Sequence, residues 1–178
     1  MAGPLSGYRI VEIAGIGPGP FAAMMLADMG AEVIKVEAPH GDLGRNPSVA
    51  PYLGVSGLFL TFNRNKKSVV IDLKNPQGRN IFLDLVKSAD VIVDNFRPGV
   101  MQRLGIDYPE LVKVNPQIIH CSITGFGSDG DYKDYPTLDI IIQAISGHMA
   151  ITGEPGRPPV RLGIPLADLS GGLFSSQG

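Results

Sequence analysis

The sequence predicts an α/β domain: a parallel sheet with helices on both faces, joined by right-handed crossovers. Three observations predict it. Short Val/Ile-rich runs recur along the chain, segments of helical composition lie between them, and Gly- and Pro-containing turns separate the two. With 178 residues, 44% of them hydrophobic and 18% charged, the chain can bury one core and is far from the composition of a disordered segment.

Each element has its own local reason. "YRIVEIAG" is a short apolar run after Gly7 and reads as a buried strand. "PFAAMMLADMG" has helical composition and a closing Gly30, and "AEVIKVE" is a second strand ending in Glu37. The polar stretch from Pro39 to Gly57 reads as loop, and "KSVVIDL" as a third strand. In "PQGRNIFLDLVKSA", Pro76 opens an amphipathic helix with Ile81 and Leu85 on its apolar side. "DVIVDNF" is a fourth strand, "ELVKVNP" a short helix stopped by Pro116, and "QIIHCSITGFG" a fifth strand running into a glycine turn. "LDIIIQAISGHMAIT" is predicted helical despite its β-branched residues, "GEPGRPP" is a connector, and a last helix begins near Leu169.

Composition narrows the function classes. A formal net charge of -2, with Lys66-Lys67 as the one basic pair, gives no surface for nucleic acid. That pair is expected to flank a strand. No apolar run reaches membrane-spanning length and no signal-like core follows the N-terminus. Cys121 has no second cysteine to pair with, which suits a reducing compartment, and is expected to fill space in a strand. The expectation is a soluble, cytoplasmic protein.

The first strand–turn–helix carries a decoy. Gly17, Gly19 and Ala22 satisfy G-x-G-x-x-A, and Glu37 ends the next strand where a ribose-binding acid would stand. A dinucleotide's pyrophosphate is held by backbone N–H groups at the helix N-terminus, however, and Pro18 and Pro20 have none. The glycines and prolines therefore read as shaping a tight turn that another ligand can approach. A second feature stands apart: in "GIPLADLSGG", Asp168 is the one acid among small and apolar residues. Such a carboxylate either caps the helix that follows or is kept partly dry for chemistry.

Five stretches together resemble one family. "VEIAGIGPGPFAAMMLADMGAEVIKVE", "FNRNKKSVVIDLK", "ADVIVDNFRPGVMQRLG", "CSITGFGSDG" and "GIPLADLSGG" are similar, in order and over nearly the whole chain, to the class III CoA-transferases, the group that includes formyl-CoA transferase, the carnitine CoA-transferase and the α-methylacyl-CoA racemase. The resemblance implies a Rossmann-like, CoA-binding fold and makes Asp168 the nucleophile. A carboxylate there attacks an acyl-CoA thioester, releases the CoA thiolate and leaves a mixed anhydride; the thiolate's return gives an aspartyl-CoA thioester. Leu166, Ala167 and Leu169 would desolvate the carboxylate, and Gly171 and Gly172 would admit substrate and offer backbone N–H donors. It also implies CoA contacts at Ile16, Gly17 and Pro18 in the first turn, at Asn95 and Phe96 in "DNFRPG", and from Lys74 and Arg103 to the phosphates. The plain alternatives are core packing for Phe96 and solvated surface charge for Lys74 and Arg103. Ala38 stands where some relatives place a basic CoA contact.

The racemase branch pairs a histidine with the aspartate, since proton exchange needs an acid and a base on opposite faces. In "TLDIII" that place holds Leu138, and His40, His120 and His148 lie elsewhere. His148 is expected half-buried in a helix, His120 to be packing in a strand, and His40 to lie in a loop without a partner. Transfer is therefore expected over racemisation, with a non-catalytic CoA- or nucleotide-binding module as a third reading. The resemblance implies an acyl-CoA and a carboxylic acid acceptor as substrates, no permanently bound cofactor and no metal. It also places residues 1–178 as the N-terminal part of a longer, interlocked homodimeric architecture whose smaller domain and returning C-terminal segment lie outside this chain.

Overall fold

A computed structural model describes residues 3–47, 51–52 and 54–178. Its centre is a five-stranded, all-parallel sheet of β1 (Arg9–Glu12), β2 (Glu32–Glu37), β5 (Lys66–Val70), β6 (Val91–Asp94) and β7 (Ile119–Ser122), in the order β5-β2-β1-β6-β7. Ile10 lies level with Val33 on one side and Val91 on the other. The chain works outward from β1 to β5, then returns to the other side of β1 with β6 and β7. The strand order thus reverses between β1 and β6, and in open α/β sheets ligands bind outside the carboxyl ends of the strands at such a point.

Successive strand residues point to opposite faces, and the two cores follow that alternation. Ile10, Val33 and Val93 pack with Ala23 and Ala27 of α1 (Pro18–Asp28). Val11, Val36 and Ile92 pack on the other face with Phe82 and Val86 of α3 (Pro76–Val86), Met101 of α4 (Val100–Leu104) and Leu111 of α5 (Tyr108–Val114). Helices cover both faces, as the sequence predicts. Asn75 caps α3 by accepting the Gln77 N–H at 2.9 Å, with Pro76 as its first helical residue.

Several boundaries differ from expectation. The stretch 39–57 contains a 3-10 turn (Leu43–Arg45) and the small antiparallel pair β3 (Pro51–Tyr52) and β4 (Val55–Ser56); residues 48–50 and 53 of that expected loop lie outside the described residues. Two short helices, α2 (Gly57–Phe62) and α4, have too few turns to show a periodic pattern. The third sheet strand begins at Lys66, so Lys66 and Lys67 lie in β5 rather than beside it. Helix α6 spans only Asp139–Ile145; Gly147, at φ 84°, ends it, and His148 is exposed beyond it instead of half-buried within it. His120 is more than packing: its Nε2 lies 2.7 Å from Oδ2 of the buried Asp94. No described helix is long and apolar enough to cross a membrane.

Candidate active site

Helix α7 (Leu166–Ser175) carries the residue on which the site turns. Asp168 is its third residue, half-buried, with its carboxylate against the turn after β1: a methyl group built on Gly17 would sit 2.5 Å from Oδ2. Any larger residue there would push the carboxylate away from the turn. The helix itself is drawn in by Gly172, where a Cβ would meet the Pro18 carbonyl at 2.7 Å and the Phe21 ring at 2.8 Å. Gly171 and Gly172 lie inside α7, so their N–H groups belong to the helical ladder instead of pointing at a substrate. Their role is close packing on α1.

Asp168 does not cap its own helix. That task falls to Asp139, the first residue of α6, whose Oδ1 accepts the N–H groups of Ala167 at 2.8 Å and Asp168 at 3.3 Å. Its Oδ2 accepts from Gln143 Nε2 at 2.7 Å, one turn along α6, and Gln143 in turn accepts the Leu162 N–H. Among the described residues no donor reaches the Asp168 carboxylate, and its neighbours remove water without replacing it. Burial therefore pushes its pKa up to about 6, with the nearby Asp139 charge adding to the rise. A carboxylate without hydrogen bonds is a stronger nucleophile than a solvated one.

Asp168 opens onto a cavity of about 1090 Å³ at the carboxyl ends of the strands, over the point where the strand order reverses. The structure brings the sequence-predicted residues together here: Ile16, Gly17 and Pro18 after β1, Lys74 after β5, and Asn95, Phe96 and Arg103 after β6 all line it. Their surroundings differ. The Asn95 amide is engaged with the protein, donating to the Gly15 carbonyl at 2.8 Å and accepting the Gly15 N–H at 2.9 Å, so it fixes the turn. Phe96 is half-buried and packs on the α3–α5 core as well as facing the cavity. Lys74 and Arg103 are exposed, and so are Arg97 and Lys133, two further cavity-lining cations. Among the described residues none of these four forms an ion pair.

The decoy is resolved by geometry. Pro18 and Pro20 occupy the first turn of α1, and the Gly17 N–H is bonded to the Gly15 carbonyl at 2.9 Å, so only Gly19 keeps an amide there. Glu37 is engaged by Arg45 at 2.6 and 2.7 Å, by Ser68 at 2.6 Å and by the Asp42 N–H at 2.9 Å. These bonds, Arg45 foremost, hold its carboxyl at about 2 and leave nothing for a ribose. Asp139 carries one local signal in the sequence, its spacing of four from Gln143, one turn of a helix; its bonds to Ala167 and Asp168 span 28 and 29 residues and have none. Arg97 lay inside "DNFRPG" and could have been found from its charge.

Known proteins share both the sequence and the fold of this chain. The profile described as CoA-transferase family III matches residues 5–178. The acetyl-CoA:oxalate CoA-transferase of Acetobacter aceti is 47% identical over 175 residues, covering 97% of this chain and 44% of that protein. The succinate–glutarate CoA-transferase of Agrobacterium fabrum is 42% identical over 179 residues, covering 97% and 45%. A CAIB/BAIF family protein from Brucella suis superposes with a TM-score of 0.94 at 41% identity, over 99% of this chain and 48% of that structure. This chain spans less than half the length of these relatives. A match that runs through every strand and ends beyond Asp168 fixes its kinship: the chain belongs to CoA-transferase family III.

Proposed function

We propose that the protein transfers CoA between carboxylic acids, with Asp168 as the nucleophile. The observation that carries the reading is a half-buried carboxylate, without a hydrogen-bond donor among the described residues, seated on a glycine turn at the mouth of a large cavity. Asp168 attacks the thioester carbonyl, the C–S bond breaks, and CoA leaves as the thiolate. The thiolate then attacks the aspartyl carbonyl of the mixed anhydride, releasing the donor acid and forming an aspartyl-CoA thioester. The acceptor carboxylate attacks that thioester, and the freed thiolate takes the acyl group from the new anhydride, regenerating Asp168. No proton moves in this cycle, so no histidine is needed.

The four exposed cations lining the cavity suit the phosphates of CoA, and the first turn with Phe96 offers apolar surface to the rest of the molecule. Since the named relatives act on oxalate, succinate and glutarate, a dicarboxylic acid is the acceptor class we propose. Exposed Ile145, Ile164 and Phe174 support further burial of the α6–α7 side in a longer, homodimeric protein, and the lone Cys121 supports a cytoplasmic setting.

Mass spectrometry after incubation of the full natural-length protein with an acyl-CoA and hydroxylamine tests this reading. Hydroxylamine captures an activated carboxyl as a hydroxamate, and peptide mapping should place it on Asp168 and find none in Asp168→Ala. A CoA-binding protein that yields no label at Asp168 would overturn the assignment.

A further inference from the structure

The turn after β1 holds a conformation its residues do not favour. Ile16 has φ 61°, in the left-handed region that a β-branched side chain enters only under constraint. Its neighbour Gly15 is pinned from the β6 side by Asn95. From the β2 side comes Asp42, which the sequence shows only as one acid in a polar loop. Asp42 Oδ1 accepts the Ile16 N–H at 3.2 Å and the Gly44 N–H at 2.7 Å, while Oδ2 pairs with Lys35 Nζ at 2.8 Å.

Lys35 cannot move to follow it. Its ammonium is buried between Glu12 Oε1 at 2.7 Å and the Ala14 carbonyl at 2.8 Å, and Glu12 Oε2 is held in turn by Lys66 at 2.6 Å. The Asp42 side chain is only 3% exposed. Thus Lys35 grips the turn through Ala14 directly and through Asp42 at Ile16. The next residue, Gly17, is the surface on which the Asp168 carboxylate rests.

We propose that Asp42 is a positioning residue for Asp168: braced by Lys35, it holds Ile16 left-handed and so keeps Gly17 against the carboxylate. The proposal rests on Asp168 as the nucleophile and adds a residue that touches neither substrate nor reacting atoms. It differs from a purely structural role for Asp42 as counter-ion to Lys35, because it makes the N–H of a strained residue the point of action. Glycine adopts the φ of Ile16 at no steric cost, so Ile16→Gly removes the need for the clamp without restoring the ion pair.

The test is a cycle of Asp42→Ala, Ile16→Gly and the double variant, in the full natural-length protein, read by hydroxylamine capture at Asp168 and by crystal structures of the turn. Asp42→Ala should release Ile16 from the left-handed region and slow capture about tenfold or more, as loss of alignment at a reacting group does. The double variant should recover about threefold or more over Asp42→Ala, a coupling that independent sites do not show. No recovery, or an Asp42→Ala structure with Ile16 still near its present φ, overturns the proposal. If Asp42→Ala does not fold because Lys35 is left unpaired, Asp42→Ala/Lys35→Met, with and without Ile16→Gly, is compared with the unsubstituted protein and Ile16→Gly, so that Glu12 keeps Lys66 and no arm holds a lone charge. If the unsubstituted protein is not captured at Asp168, the nucleophile reading fails instead, and the φ of residue 16 in the crystal structures still decides the clamp.

Discussion

At Asp168, burial raises the pKa of the carboxyl and makes the ionised form a source of instability. Its pKa of about 6 in the folded protein stands above the ordinary 3.8, so the folded state holds the proton more tightly than the unfolded chain does. Stability is therefore lost as pH rises from about 4 to about 6, and the penalty is complete above that. Relieving it with Asp168→Asn should raise stability at pH 8 by on the order of 1–2 kcal/mol after allowance for solvent screening. Urea melts at pH 8 and pH 3.5 check this, with the gain present at the first and absent at the second. On the proposed chemistry, capture at Asp168 in the unsubstituted protein should fall as pH drops below about 6, because the protonated acid is not a nucleophile. The residue was legible as an isolated acid among apolar neighbours. Its two possible uses were not separable in sequence, since the deciding fact is that Asp139, 29 residues earlier, already caps the helix.

Asp139 shows how α6 and α7 act as one element. One carboxylate caps α7 across the gap, is steadied by Gln143, and sets a like charge beside Asp168. Asp139→Ala should therefore have two effects of different kinds. Loss of the cap should cost about 1–2 kcal/mol in a thermal melt. Removal of the charge should move the pH midpoint of Asp168 capture below about 6, with the sign fixed by the end of like-charge repulsion. A midpoint that moves upward would contradict the arrangement. Strands and long helices were readable because buried runs and a Pro-led amphipathic segment carry their signal locally, as in Val91–Asp94 and Pro76–Val86. The short α2 and α4 were not, because five or six residues hold less than two turns of period. The early end of α6 at Ile145 turns on Gly147, which sequence reading passed over in favour of the apolar residues beyond it.

Across the whole molecule, the β1, β2 and β5 strands are stitched beneath the site by charges. Glu12 stands between Lys35 and Lys66, all three side chains at most 2% exposed, and Lys66 is also held by the Pro20 carbonyl and Asn63. Burial lowers the Lys66 ammonium to about 8, though Glu12 works against the fall, whereas the two carboxylates beside Lys35 outweigh its burial and raise it. Glu12→Ala leaves Lys66 without a carboxylate and should cost about 3–5 kcal/mol in urea unfolding. Glu12 was read only as a residue within an apolar strand, because a buried ion pair 23 residues apart in sequence has no local signature. The site above this lattice joins distant parts of the chain: Met25 of α1 meets Ser176 just past α7 at 3.8 Å, 151 residues apart. Such a contact closes a long loop and carries a correspondingly large entropy cost. The sheet and its first turn are held by contacts that do not involve α7, so the Asp168 carboxylate rests on a seat built without it. By the same logic, loosening of α7 alone would lift Asp168 off Gly17 while the sheet stays intact, and amide exchange in α7 should then run ahead of exchange in β1.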